Sequence, residues 1–261
     1  LENFEKLKDE ESLIEFLDFI MSLSRLLIEC GCSSNRLETL IETLGVSWDI
    51  RVEVMALPTG VWISAKKGHK KAIDLVRIRN WSVDLDRLAR LNSLVESISG
   101  RKISIAEAHD ALVTEHSAKQ PYSTGITLLA GAGASSSLMY FYQGSTLEII
   151  LAFPIGAVLQ ILQKYIFIGE NRRYLSDFLS AAFATIYALF FNYYYPSVDV
   201  PRLIIAGIIV IVPGLVLTNA VHELAQKNLV SGAAKMLEAV MITGALTMGV
   251  VFVLGLAKLG F

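Results

Sequence analysis

Apolar residues recur at three- and four-residue steps from Ser12 onward, at Leu13, Phe16, Leu17, Ile20, Leu23 and Leu27. That spacing predicts an amphipathic helix, with Ser12 as its cap and Glu15 three residues on. The stretch CGCSSNRLETLIETLGV predicts a break at Gly31, a serine cap and a second helix ending near Gly45. The period then changes to alternation. Val52 and Val54, then Val61 and Ile63, predict two short strands joined around Pro58 and Gly60, and KAIDLVRIRN supplies a third. DLDRLARLNSLVESISG and SIAEAHDALVTEHSAK read as two more helices. Beyond them come long apolar runs at 123–142, 146–168, 174–195, 201–221 and 235–257, each close to the ~20 residues needed to cross a bilayer.

Charge sharpens this division. Residues 1–121 hold 16 of the 23 Lys and Arg and 19 of the 25 Asp and Glu, leaving 7 and 6 for residues 122–261. The expected organisation is therefore a cytoplasmic α+β domain over 1–121 and an integral membrane α-helical bundle of five transmembrane helices over 122–261. Positive residues set its orientation. Lys164, Arg172 and Arg173 follow the second run, and Lys227 and Lys235 follow the fourth, whereas the opposite connectors hold only Arg202. The first domain is thus expected in the cytoplasm and the C-terminus outside. Tyr140, Tyr142 and Tyr193 to Tyr195 suit the outer interface. The acidic, helical start predicts no signal peptide. The net charge of −2 argues against nucleic-acid binding.

Candidate chemistry is sparse in the first domain. Cys30 and Cys32 read as free thiols, since a bridge across one residue is strained and further zinc ligands are lacking. His109 and His116 share a helix face but read as solvated, so no metal or cofactor is expected. Ser33, Ser34, Asn35 and Arg36 form a polar helix start that suits an anion or ordinary capping. No nucleophile–base motif or glycine-rich phosphate loop appears, so no catalytic residue is assigned.

The apolar runs are more than anchors. The first is dense in glycine, alanine and serine, including Ser136, which lets helix backbones approach closely. The second contains Pro154 with Gln160, and the fourth contains Pro213 and Gly214 followed by Thr218, Asn219, His222 and Glu223. Interrupted helices must face protein or a water-filled cavity, and two in one bundle point to a transporter site. Glu238 opens the fifth run, where Lys235 is positioned to neutralise it or where it carries protons, with Thr243 and Thr247 extending a polar track.

The stretch VPGLVLTNAVHELAQKNLVSGAAKMLEA resembles the membrane signature of the threonine/serine exporter family, through Pro213, Gly214, Asn219, Glu223, Ser231, Gly232 and Glu238. GCSSNRLETLIETLG is similar to the family's N-terminal helix motif, matched by Gly31, Ser33 or Ser34, Arg36 and Glu38, and MALPTGVWIS to its following strand pair with Thr59. The resemblance implies a plasma (inner) membrane exporter of small polar metabolites, either amino acids such as threonine and serine or dicarboxylates such as succinate. The residues themselves suggest a path along Pro213, Gly214, Thr218, Asn219, Glu238, Ser136, Pro154 and Gln160, with His222 and Glu223 as gate, proton relay or markers of the interface. The family's single-chain members carry ten spans and split versions place the second five on a separate small protein. A partner five-span subunit or a second copy is therefore expected, beside lipid and a small polar substrate. Two rivals stand against transport: a membrane-anchored sensor or scaffold, and an intramembrane hydrolase using Ser136 with His222.

Overall fold

The computed structural model describes residues 2–79, 82–100, 105–117, 122–163 and 173–259. The residues group into two compact units, Leu1–Lys119 with Thr218–Lys235, and Gln120–Leu217 with Met236–Phe261.

In the first unit, helix α1 (Glu2–Glu29) starts well ahead of Ser12. Ser12 is therefore not a cap, because the Glu- and Lys-rich stretch before it favours continuing the helix. The end of α1 is the expected one. Gly31 adopts φ 91°, and the Cys32 and Gly31 amides donate to the Leu27 and Ile28 carbonyls, a Schellman stop. Helix α2 (Ser34–Ser47) follows, and strands β1 (Arg51–Leu57), β2 (Gly60–Lys67) and β3 (Lys70–Arg77) form an antiparallel meander in the order β1-β2-β3. Helices α3 (Leu85–Ser99), capped by Asp84 on the Arg87 amide at 2.9 Å, and α4 (Ile105–Ser117) complete the set. The core joins Phe16, Phe19, Ile20, Leu23 and Leu27 of α1 to Leu37 and Ile41 of α2, Ile63 of β2 and Leu91 of α3. Cys30 and Cys32 are free thiols in this core, and burial pushes both up to about 11.

The second half of the chain carries helices α5 (Thr124–Phe141), α6 (Thr146–Ile161), α7 (Arg173–Tyr194), α8 (Val200–Ile208), α9 (Gly214–Ala225) and α10 (Leu229–Lys258). Of these, α7 and α10 are long and apolar enough to cross a membrane, and α6 is a shorter apolar helix. Lys164, Asn171 and Arg172 lie outside the described residues.

The two prolines differ. At Pro213 the chain breaks: α8 stops at Ile208, the Ile211 and Val212 amides both reach the Ile208 carbonyl, and α9 restarts at Gly214. At Pro154 it does not, and α6 runs through it with the ring on an exposed side. The expectation of two interrupted helices is therefore corrected to one. A lone proline among good helix neighbours costs one hydrogen bond, whereas Pro213 is followed by a glycine.

The small residues of α5 do what their size permits. A Cβ on Gly156 of α6 would collide with the Gly131 carbonyl oxygen and with Ser135 Oγ, so the two backbones lie in close contact.

Candidate functional site

Two clusters of buried polar groups stand out, one in each unit. The first forms at the start of α2, whose leading amides have no partner inside the helix. The Ser34 amide donates to Glu223 Oε1 at 2.9 Å, and Lys235 Nζ donates to the same oxygen at 2.6 Å. Ser34 Oγ lies 2.6 Å from Ser231 Oγ, and Asn35 Nδ2 donates to Gln226 Oε1 at 2.7 Å. Ser34, Glu223 and Ser231 are all fully buried. The anion that suits this helix start is thus a carboxylate of the same chain. Burial pushes the Glu223 carboxyl up, but the Lys235 ammonium and the Ser34 amide outweigh it and hold the group below the ordinary carboxylate range.

The other motif residues of the first unit build this junction. Gly31 turns the chain from α1 into α2. Glu38 Oε1 accepts from the Ala56 amide at 2.9 Å and so ties α2 to β1. Burial raises its carboxyl. Arg36 is exposed on α2, and Thr59 sits at the β1–β2 turn with its carbonyl accepting from the Ile78 amide at 3.0 Å. His222 Nε2 lies 3.0 Å from Gln226 Nε2, one turn further along the chain.

Lys235 does not neutralise Glu238. Its ammonium is committed to Glu223, while Arg173 of α7 donates to Glu238 Oε1 at 3.0 Å. The two acids lie on different sides of the α9–α10 turn, and helical spacing alone could not tell which lysine partner was nearer. The Thr243 and Thr247 hydroxyls donate back to the Ala239 and Thr243 carbonyls, each at 2.8 Å, so the track they were expected to extend is bonded within its own helix. Ser136 Oγ donates to the Ile149 carbonyl at 3.1 Å, an α5–α6 tie. Gln160 lies against Gly131, and Asn219 is half-buried one turn past the Pro213 break.

The second cluster escaped the sequence reading. Gln163 Nε2, just past α6, donates to Asp177 Oδ1 at 3.1 Å and lies 3.3 Å from Ser180 Oγ. Asp177 and Ser180 belong to α7 and are buried. The signal was present in the composition: residues 122–261 hold only six acids, and Asp177 falls inside the third apolar run.

A family described as "Putative threonine/serine exporter" matches residues 18–257. The chain belongs to the threonine/serine exporter family. That match spans both polar clusters, and membership makes this a membrane protein. Similar proteins occur in bacteria and fungi. A Mycobacterium tuberculosis protein named "Probable threonine/serine exporter" is 23% identical over 66% of this chain and 32% of its own length. An uncharacterised Schizosaccharomyces pombe protein is 24% identical over 90% of this chain and 29% of its own, and the "Pheromone-regulated membrane protein 10" of Pichia sorbitophila is 23% identical over 93% and 25%. The exporter-family chain thus spans about a third or less of the length of the curated relatives it matches. No solved structure matches it.

Proposed function

We propose that this chain is one half of a secondary exporter of small polar metabolites, amino acids such as threonine and serine or dicarboxylates such as succinate. Its five membrane passes are α5, α6, α7, residues 201–221 across α8 and α9, and α10, set in the plasma (inner) membrane. Residues 1–121 face the cytoplasm and the C-terminus lies outside. Export is coupled to protons, and the half works with a second five-span unit, either a separate subunit or another copy.

The observation that carries this reading is the break at Pro213. In an apolar environment a broken helix leaves backbone groups that only protein, water or a substrate can satisfy. Half-helices that meet near the middle of a bundle are the recurring binding element of secondary transporters. Here Thr218 and Asn219 follow within two turns of the break and supply donors and acceptors to a polar solute. The orientation rests on the positive residues Arg173 at the start of α7 and Lys227 and Lys235 around the α9–α10 turn, which suit a cytoplasmic side, and on the exposed rings of Tyr140 and Tyr193 near the ends of α5 and α7, which suit the outer interface.

The test is uptake of labelled threonine and labelled succinate into vesicles holding the full-length protein under an imposed pH gradient. The wild type is expected to move at least one of them. Pro213→Ala with Gly214→Ala is expected to insert normally and to lose transport. Undiminished transport by that double variant would remove the break from the mechanism. Cysteines at Ser145 and Ser197 are expected to react with an impermeant reagent outside cells and one at Asn171 not to, and the reverse would overturn the orientation.

A further inference from the structure

Among the described residues the second unit buries two acids, Glu148 and Asp177, and satisfies them unequally. Glu148 has both oxygens engaged. Its Oε2 accepts from the Ser145 amide at 2.7 Å and hydroxyl at 2.8 Å, and its Oε1 accepts from the Asp199 amide at 2.8 Å. It is a capping residue that also ties the start of α6 to the start of α8. Asp177 is 2% exposed and has one oxygen engaged, Oδ1, by the Gln163 amide. Among the described residues Oδ2 has no hydrogen-bond partner, and neither does the buried Ser176 hydroxyl next to it in sequence.

Among the described residues the charged groups around Asp177 do not fill that gap. Arg173 precedes it by one turn on α7, and its guanidinium donates to Glu238 of α10. From the α6 side the described neighbour is the neutral Gln163, Glu148 being at the other end of that helix. From α10 the described charges are Lys235, committed to Glu223; Glu238, already facing Arg173; and Lys258 in the last turn. Glu238 has a counter-charge in place, whereas among the described residues Asp177 has none within bonding distance.

An ionised carboxylate with a bare oxygen is costly inside an apolar bundle and is neutralised by acquiring a positive charge. Oδ2 is sealed from solvent, so a proton is the cation that reaches it without a cavity, while an ammonium group or a metal ion needs one. We propose that Asp177 is the proton-carrying carboxyl of this unit. This rests on the transport reading and names the residue through which coupling runs. When α6 and α7 part toward water, Asp177 gives up its proton to water and stands as the carboxylate; when they close, the O–H bond at Oδ2 is made. Gln163 donates to Oδ1 in both states and holds the carboxyl in place.

The experiment uses the full-length protein in vesicles, with labelled threonine and labelled succinate as probes. Asp177→Asn copies the protonated form. It is expected to keep the exchange of labelled for unlabelled solute at equal pH and to lose accumulation driven by a pH gradient, with Asp177→Glu recovering part of it. Gradient-driven accumulation at the wild-type rate in Asp177→Asn would overturn the proposal. So would loss of exchange along with accumulation, which would make Asp177 a ligand for the solute. A second readout does not depend on transport: a carboxylic C=O infrared band in the wild type that fades as pH rises and is missing in Asp177→Asn. If the Asn variant fails to insert, the band is followed in Gln163→Ala, where losing the amide at Oδ1 shifts its frequency; an unmoved band overturns the assignment. Presence of the band in a wild type that moves neither solute would sink the exporter reading and leave the proton site standing. Its absence would sink the proton site even where transport is found.

Discussion

Among the fully buried positions of the first unit are Phe16, Phe19, Ile20, Leu23, Ile41 and Leu44, while those of the second include Ala132, Ala184, Ala188 and Ala206 with Ser135, Ser180 and Thr185. Many large apolar side chains of the second unit turn outward, Leu129, Ile150, Phe190 and Val251 among them, although Met139, Ile155, Leu159 and Leu203 are buried. In water, burying apolar area is the main driving force, so the bulky residues go inside. In lipid that force between helices disappears, and small residues that let backbones touch take the inner positions. The buried acids follow the same division. Glu223 in the first unit has a lysine and a helix start, whereas Asp177 in the second has a single neutral amide. Glu223 thus has a counter-charge in place, as the proposed proton carrier Asp177 does not among the described residues, while Glu148 of the second unit is held by hydrogen bonds alone.

The largest test of this contrast is truncation of bulky residues on each side of it. Phe16→Ala removes a fully buried ring and is expected to cost about 3–5 kcal/mol. Phe190→Ala removes a ring that is 55% exposed, and in detergent it is expected to cost close to nothing. Thermal unfolding followed by circular dichroism measures both. An equal loss of Tm in the two variants would mean that the second unit is not built around small residues.

Next comes the permanent neutralisation of Glu223. Glu223→Gln leaves Lys235 without its counter-charge. Breaking a fully buried pair costs about 3–5 kcal/mol, and here about 2–3 is expected because the Lys235 side chain retains 14% exposure. Adding Lys235→Met is expected to return most of it. The pH dependence has a definite sign. The folded-state pKa of Glu223 is depressed, so the pair's contribution is present above the ordinary carboxylate range and lost as pH falls through the lowered value. A plot of Tm against pH is expected to drop on the acid side in the wild type and to drop less in the double variant. Identical curves would show that the pair contributes nothing.

What could be read from the chain depended on the range of the interaction. The helices and the β meander follow from local periodicity, and Pro213 with Gly214 announced the break because both act on their own backbone. The Glu223 junction did not show itself, since Ser34 and Glu223 are 189 positions apart and either residue alone is an ordinary surface polar group. The partner of Lys235 was hidden for the same reason: a three-residue spacing to Glu238 is visible in sequence and left pairing as one alternative, while the carboxylate across the α9–α10 turn is not visible. Asp177 was hidden differently, by the run of apolar neighbours that made its segment read as a plain span. Pro154 shows the limit of residue-type rules, because it has the same chemistry as Pro213 and leaves α6 whole.

A smaller effect is expected where the second unit uses close contact in place of bulk. Gly156→Ala places a methyl against the Gly131 carbonyl, and α5 and α6 must separate to admit it. Such overpacking costs about 1–3 kcal/mol. The reciprocal change on the outer face, Leu129→Ala, is expected to leave Tm unmoved. If Gly156→Ala is also silent, the two helices are not held by backbone proximity.

The smallest effect belongs to Ser136, and it separates a bonded hydroxyl from a working one. Its Oγ donates to the Ile149 carbonyl at 3.1 Å, so it is spent on holding α5 to α6. Ser136→Ala removes a donor but leaves no orphaned one, because the alanine methyl packs where the hydroxyl stood and a helical carbonyl keeps its backbone partner. Hydrogen bonds between membrane helices average about 0.6 kcal/mol, and a loss of that order is expected in thermal unfolding. Transport by this variant is expected to match the wild type, and labelling with a serine-directed fluorophosphonate is expected to be absent in both. Loss of transport with an unchanged Tm would place Ser136 with Asp177, among the polar groups of the second unit that act on something other than the fold, and reaction with the fluorophosphonate would revive the hydrolase reading outright.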